Sequence, residues 1–180
     1  RPRLCIWGGC TNLANSLPWE QVGPRIWRFV NQIFPSNTYI CAPDDSAGCL
    51  LVDPGTDPEG IDAALRELGL EPTRILCTHG HFDHAGSAAF FQKRYGAPCH
   101  LHEADLQTLR GSNFLTMAFR IPFTVEQPAI EGFEALTQEV EHVYPAPGHT
   151  PGSCIFQYGK ALFTGDANTA SLKVSFFGPF

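Results

Sequence analysis

Residues 79 to 84 read HGHFDH, placing three of the chain's seven histidines and an aspartate within six positions. Imidazole and carboxylate together are the donor set of zinc, iron or manganese sites. In an extended segment, side chains two apart project to the same side, so His79 and His81 can meet one ion. Asp83 and His84 follow at once, where a loop or helix start turns the chain. The competing explanation is a chance group of solvated loop residues. So dense a cluster, directly after the apolar run RILC (74–77), argues against it.

Two further segments offer donors. PAPGHTPGS (145–153) carries His149 in a Pro/Gly-rich loop, and FTGDA (163–167) carries Asp166 after a short apolar run. Alone, His149 reads as a plain loop histidine and Asp166 as a turn former. Both stand at strand ends, where layered α/β folds carry their chemistry.

These residues need elements to position them. Residues 1–24 are rich in Gly, Pro and Asn and read as an irregular lead-in. RIWRFVNQI (25–33) is strand-like. NTYICA and GCLLVD flank the turn composition PDDSA and read as a hairpin ending in Asp53-Pro54-Gly55. A helix follows: Asp57 caps it, Pro58 suits its first position, and Gly69 stops it. Ile61, Ala64, Leu65 and Leu68 repeat on one helical face. RILCTH (74–79) reads as a buried strand, SAAFFQKRYG (87–96) as a helix, APCHLH (97–102) as a strand and EADLQTLRG (103–111) as a helix. Residues 112–134 are ambiguous and are compatible with a helix-loop insertion near a site mouth. EVEHVYPAP (139–147), SCIFQYG (153–159) and ALFTGD (161–166) read as three more strands. The alternation predicts a layered α/β fold, with residues 25–180 as one domain.

Bulk composition narrows the function classes. Hydrophobic content of 43% and charged content of 17% fit a globular domain with a sizeable core. A net charge of −6 argues against binding nucleic acid or an anionic membrane surface. No apolar run approaches the roughly 18 residues that span a bilayer. The seven cysteines are odd in number and scattered, several within strand-like runs, which argues against a disulfide framework and for a reducing, cytoplasmic setting. Cys5 and Cys10 form the one close pair. The first residues show no apolar core with a cleavage site, so no signal peptide is expected.

In this order, DPG (53–55), THGHFDH (78–84), PGHTPGS (147–153) and TGD (164–166) resemble the metallo-β-lactamase superfamily, over about Thr38 to Asp166. The resemblance implies an αββα four-layer sandwich with a metal site along one edge of its sheets. It implies that His79, His81 and His149 hold one metal, that Asp83 and His84 hold a second, and that Asp166 bridges both. Spacing alone would group Asp83 with His79 and His81. Asp53 resembles a residue that braces the ligand loop from behind. The family carries one more histidine after the GD motif. None of the fourteen residues after Asp166 is histidine, so the C-terminal part of the family's domain is expected to be missing.

The function implied is hydrolysis of a small ester, thioester or lactone, by attack of a metal-bound hydroxide on a carbonyl, with two zinc ions expected and iron or manganese as alternatives. Asp83 would orient the water and carry a proton to the leaving group. Glyoxalase II-like thioester hydrolysis is the nearest family label, although residues 1–180 are not expected to include the helical region that usually completes that enzyme. A second reading is a persulfide dioxygenase with one iron on His79, His149 and Asp166. A third is a non-catalytic or truncated copy. A β-lactamase role is disfavoured because such enzymes are typically exported.

The other histidines have plainer readings. His100 and His102 alternate in PCHLHE and default to surface or capping roles. His142 reads as a strand residue upstream of His149. No cysteine has an obvious histidine partner except Cys77, which belongs to a strand core, and Ser153 lacks the context of a nucleophile. Phe114, Met117, Phe119 and Phe123 could line an apolar acyl pocket, with core packing at least as good an explanation.

Overall fold

Alternation along the strands decides which layer each apolar residue enters. The computed structural model describes residues 19–133, 136, 142–167 and 175–176. Strands β1 (Trp19–Gly23), β2 (Ile26–Val30), β3 (Asn37–Cys41) and β4 (Gly48–Val52) form an antiparallel meander. β5 (Glu71–Leu76), β6 (Cys99–His100) and β7 (Ile130–Glu131) join in parallel and complete a seven-stranded sheet in sequence order. β8 (His142–Pro145), β9 (Cys154–Tyr158), β10 (Ala161–Phe163) and β11 (Ser175–Phe176) form a second sheet, ordered β11-β10-β9-β8 and antiparallel throughout.

The helices lie in the crossovers of the larger sheet. They are α1 (Pro58–Leu68), α2 (Phe82–Ala85), α3 (Ala88–Tyr95) and α4 (Leu106–Ala118), the last preceded by a 3-10 turn at Glu103–Asp105. α1 starts as its sequence predicts: Asp57 Oδ1 accepts from the Gly60 amide at 3.1 Å and Pro58 takes the first turn. Gly69, at φ 67°, ends it. Phe29, Ile40, Leu51 and Ile75 point to the helix side and meet Ile61, Leu65, Phe91 and Leu109. Their neighbours Tyr39, Cys41, Leu50, Val52 and Leu76 point the other way and meet Cys154, Phe156, Ala161 and Phe163 of the second sheet. Each fully buried Leu, Ile, Val or Phe among them contributes about 1.5–3 kcal/mol. The layers are therefore helix, sheet, sheet. Among the described residues no helix lies on the far side of the second sheet, so three of the four layers of the expected sandwich are described. Nor is any described helix long and apolar enough to cross a membrane.

Among the boundaries that differ from the sequence reading, three matter most. The lead-in ends early, because Trp19–Gly23 is a strand. Among the described residues it is an edge strand, bonded on one side only, and its mostly half-exposed residues carry no alternation to betray it. β5 begins at Glu71 and stops at Leu76, so His79 stands in a loop rather than at a strand's last residue. α4 runs on to Ala118 and absorbs the start of the ambiguous region. Its inward residues are Leu109, Ser112 and Thr116, while Phe114 (68% exposed) and Met117 (70% exposed) face out. Past Gly111 the polarity pattern is thus largely inverted and hides the rest of the helix.

Cys41, Cys49, Cys77, Cys99 and Cys154 are all buried and free, as small apolar fillers. Cys5 and Cys10 lie outside the described residues.

Candidate metal centre

The parallel pairing of β4 with β5 sets the centre. It places Asp53, just past β4, beside the loop that leaves β5, and the Asp53 amide donates to Leu76 O at 2.8 Å. Asp53 sits at φ 53°, in the left-handed region, and the Thr38 hydroxyl holds its carbonyl there at 2.7 Å. Its carboxylate then serves three donors. Oδ1 accepts from the Thr78 amide at 2.7 Å; Oδ2 accepts from the Thr78 hydroxyl at 2.8 Å and faces His84 Nδ1 at 2.9 Å.

That bond orients His84. With Nδ1 committed to Asp53, Nε2 turns toward Asp83 Oδ2 at 3.4 Å and Asp166 Oδ1 at 3.6 Å. α2 is anchored from behind, because the Ser36 hydroxyl donates to Asp83 O at 2.7 Å and the Ser87 hydroxyl to Gly55 O at 2.6 Å.

His79 is oriented by the same device. The Thr78 hydroxyl hydrogen is spent on Asp53, so at 3.2 Å its oxygen receives the proton of His79 Nδ1. Among the described residues, the other nitrogen, Nε2, is left as a buried lone pair with no hydrogen-bond partner. The rings of His81, His84 and His149 surround the His79 ring, with centroids 4.9, 4.2 and 4.8 Å from its own. His81 Nδ1 and His149 Nε2 approach to 3.0 Å, and His149 Nε2 lies 3.5 Å from Asp166 Oδ2.

Two donor groups result, each with atoms within 4.8 Å of one another. One is His79, His81 and His149; the other is His79, His84 and Asp166. A lone pair buried without a donor is unfavourable in the metal-free protein. A cation at that point relieves it, and the set of imidazoles and a carboxylate suits zinc, iron or manganese. The residues fit such a group.

The charges agree. Burial first, then the neighbouring His84, His81 and His149, push His79 down to about 2, so its ring is neutral at any ordinary pH. Burial and the charge of His149 also lower His81. His84 goes the other way. Burial works to lower it, but the charge of Asp53 and the hydrogen bonds to Asp166 and Asp53 outweigh burial and lift it to about 10. In return the His84 bond holds the Asp166 carboxyl well below the usual carboxylate range, against the effect of its own burial.

The structure brings His79, His81, His84, His149, Asp166 and Asp53 together. Asp83 lies at the rim, against His84 but outside both donor groups, because it occupies the first turn of α2 with its side chain 16% exposed. His142 is exposed on β8, and His102 accepts from the Ala104 amide at 3.2 Å as a cap. His100 is fully buried in β6, not a surface residue, and its Nδ1 meets Gly132 O at 3.0 Å. Cys77 faces Cys99 across 4.0 Å, and Ser153 Oγ accepts from the Thr150 amide at 3.1 Å. Phe114, Met117 and Phe119 are exposed, and Phe123 packs against the helix-side core. Asp105, which no motif marked, is fully buried against both histidine loops.

Comparison with known proteins agrees with this geometry. Residues 32–175 match the family model described as the metallo-beta-lactamase superfamily. A probable metallo-hydrolase of Bacillus subtilis, YqgX, is 33% identical over 125 residues, covering 66% of this chain and 58% of that protein. A hydroxyacylglutathione hydrolase of Anaeromyxobacter dehalogenans is 33% identical over 155 residues, covering 79% of this chain and 54% of that protein. The chain thus spans little more than half the length of these curated relatives. Among solved structures, TTHA1623 in a di-iron-bound form is similar with a TM-score of 0.67 and 28% identity, over 77% of this chain and 71% of that one.

Proposed function

This chain belongs to the metallo-beta-lactamase superfamily, and from that premise we propose that it is a metal-dependent hydrolase of a small ester, thioester or lactone. One observation carries the reading: the buried, partnerless lone pair of His79 Nε2 stands where two donor groups overlap. His79, His81 and His149 would hold one ion. Asp83 and His84 would hold a second, with Asp166 between the two. Zinc is the first metal to test. The likeness to a protein described as a di-iron form makes iron the second.

Metal held there would lower the pKa of a water from about 15.7 towards 7 and polarise a carbonyl. The chain's own residues do the rest. Asp53 fixes the ring of His84 so that Nε2, not Nδ1, faces the centre. The Asp166 carboxyl stays ionised and offers negative charge between the donor groups. Asp83, at the rim beside His84, would hold the attacking water and pass its proton to the leaving group. Thioesters are the first substrate class to test, on the likeness to a hydroxyacylglutathione hydrolase.

The test is hydrolysis of a panel of thioesters, esters and lactones by chain loaded with zinc, manganese or iron. Turnover that needs the metal, and that His79→Ala and Asp83→Ala abolish without unfolding the chain, is expected. Turnover that survives either substitution contradicts the site.

A second reading, oxidation of a persulfide with one iron on His79, His149 and Asp166, draws on the 3.5 Å approach of His149 to Asp166. Oxygen uptake with a persulfide, at about one iron per chain, would select it.

A further inference from the structure

We propose that Asp105 is a positioning residue: its buried carboxylate fastens together the loops that carry His81 and His149 and so sets the spacing of the first donor group. The inference rests on the metal reading above.

Asp105 ends the 3-10 turn between β6 and α4, in neither of the segments that carry the histidines. Its side chain nevertheless reaches both ligand loops. Oδ2 accepts from the Gly80 amide at 2.8 Å and from the Thr150 hydroxyl at 2.8 Å; Oδ1 accepts from the Gly152 amide at 2.8 Å, with the Thr108 hydroxyl more distant at 3.5 Å. Gly80 lies between His79 and His81, and Thr150 follows His149. One carboxylate thus ties a loop of the seven-stranded sheet to a loop of the four-stranded sheet. The Cys154 amide adds a second tie, to Thr78 O at 2.9 Å.

The donors converge on two oxygens, and only an ionised carboxylate offers acceptors alone at both. Such charge-assisted bonds are short and roughly twice as strong as neutral ones. The backbone is cut to fit. A Cβ at position 80 would stand 2.7 Å from Asp105 O, and one at position 152 would stand 2.9 Å from Asp105 Cβ, Cγ and N. The glycines inside the HGH and PGS segments therefore make room for the turn that wedges between them. The outcome is the 3.0 Å approach of His81 Nδ1 to His149 Nε2.

Asp105→Asn keeps the size and turns one acceptor into an amide NH2 that faces a donor. Three measurements read the effect. Zinc affinity, by competition with a chelator, is expected to fall roughly 10–100-fold. The visible absorption of the cobalt(II)-loaded protein should shift, whereas general destabilisation would leave the spectrum of the loaded protein unchanged. In metal-free protein, amide hydrogen exchange should quicken at Gly80 and Gly152 but not at Thr78, which Asp53 holds. Thr150→Val removes one donor and should give a smaller loss in the same direction. It decides the matter if Asp105→Asn does not fold. A folded Asp105→Asn with wild-type affinity and cobalt spectrum overturns the proposal, as does an unchanged affinity in Thr150→Val. Should the wild type bind no metal at all, the functional reading fails, and the brace stands or falls on exchange at Gly80 and Gly152.

Discussion

Asp53 Oδ2 and His84 Nδ1 meet at 2.9 Å, with side chains only 3% and 8% exposed, and the same carboxylate holds both donors of Thr78. A residue of the second donor group and the start of the loop bearing the first therefore share one anchor.

Asp53→Ala should be among the most destabilising single changes near the centre. It takes from the Thr78 amide, the Thr78 hydroxyl and His84 Nδ1, all buried, the acceptor they share. Breaking such a pair costs about 3–5 kcal/mol, to be measured by denaturant unfolding of the metal-free protein. Asp53→Asn keeps one acceptor and should lose less.

The pH dependence of metal-free stability follows from two opposed histidines. His84 is lifted to about 10, above its unfolded value of about 6.5. Its contribution is complete below about 6.5 and is lost as pH rises through 10. His79 is pushed down to about 2, so the unfolded chain binds a proton there that the folded one refuses. Stability therefore falls as pH drops below about 6.5, and the depressed Asp166 carboxyl adds to the loss at lower pH still. Thermal unfolding across pH should show a maximum near 6.5, and a plateau from 5 to 9 would contradict these assignments.

Metal uptake should release protons. His84 carries a proton in the metal-free protein and must give up the one on Nε2 to bind an ion there. At neutral pH, in weak buffer with an indicator, saturation is expected to release about one proton from this ring. His84→Ala should abolish that share.

The exposed apolar residues of α4 should be expendable for folding. Phe114→Ser and Met117→Ser are expected to change unfolding free energy by no more than about 0.5 kcal/mol. Leu51→Ala, in the fully buried face beneath α1, should cost about 2–5 kcal/mol.

What could be read from the sequence was whatever is written in local spacing. The histidines of HGHFDH, the later His149 and Asp166, the cap and stop of α1, and the β3–β4 hairpin all declare themselves within a few residues. The grouping of donors was not legible that way: period two put Asp83 with His79 and His81, whereas the fold leaves Asp83 at the rim and gives His79 to both groups. Asp105 escaped notice because its partners are two backbone amides and a hydroxyl from residues 25 to 47 positions away, which no side-chain pattern records. β1 escaped because an edge strand needs little burial. The part of α4 past Gly111 was not legible because there its buried residues are Ser112 and Thr116 while Phe114 and Met117 face outward.

The central claim is that a cation completes the set His79, His81 and His149. Elemental analysis of the purified chain beside His79→Ala, with thioester turnover followed on the same samples, tests it most directly. One or two equivalents of zinc, iron or manganese in the wild type, lost together with turnover in a folded His79→Ala, is the result expected. A folded, active wild type that holds no metal, or a variant that keeps its metal and its rate, would contradict it.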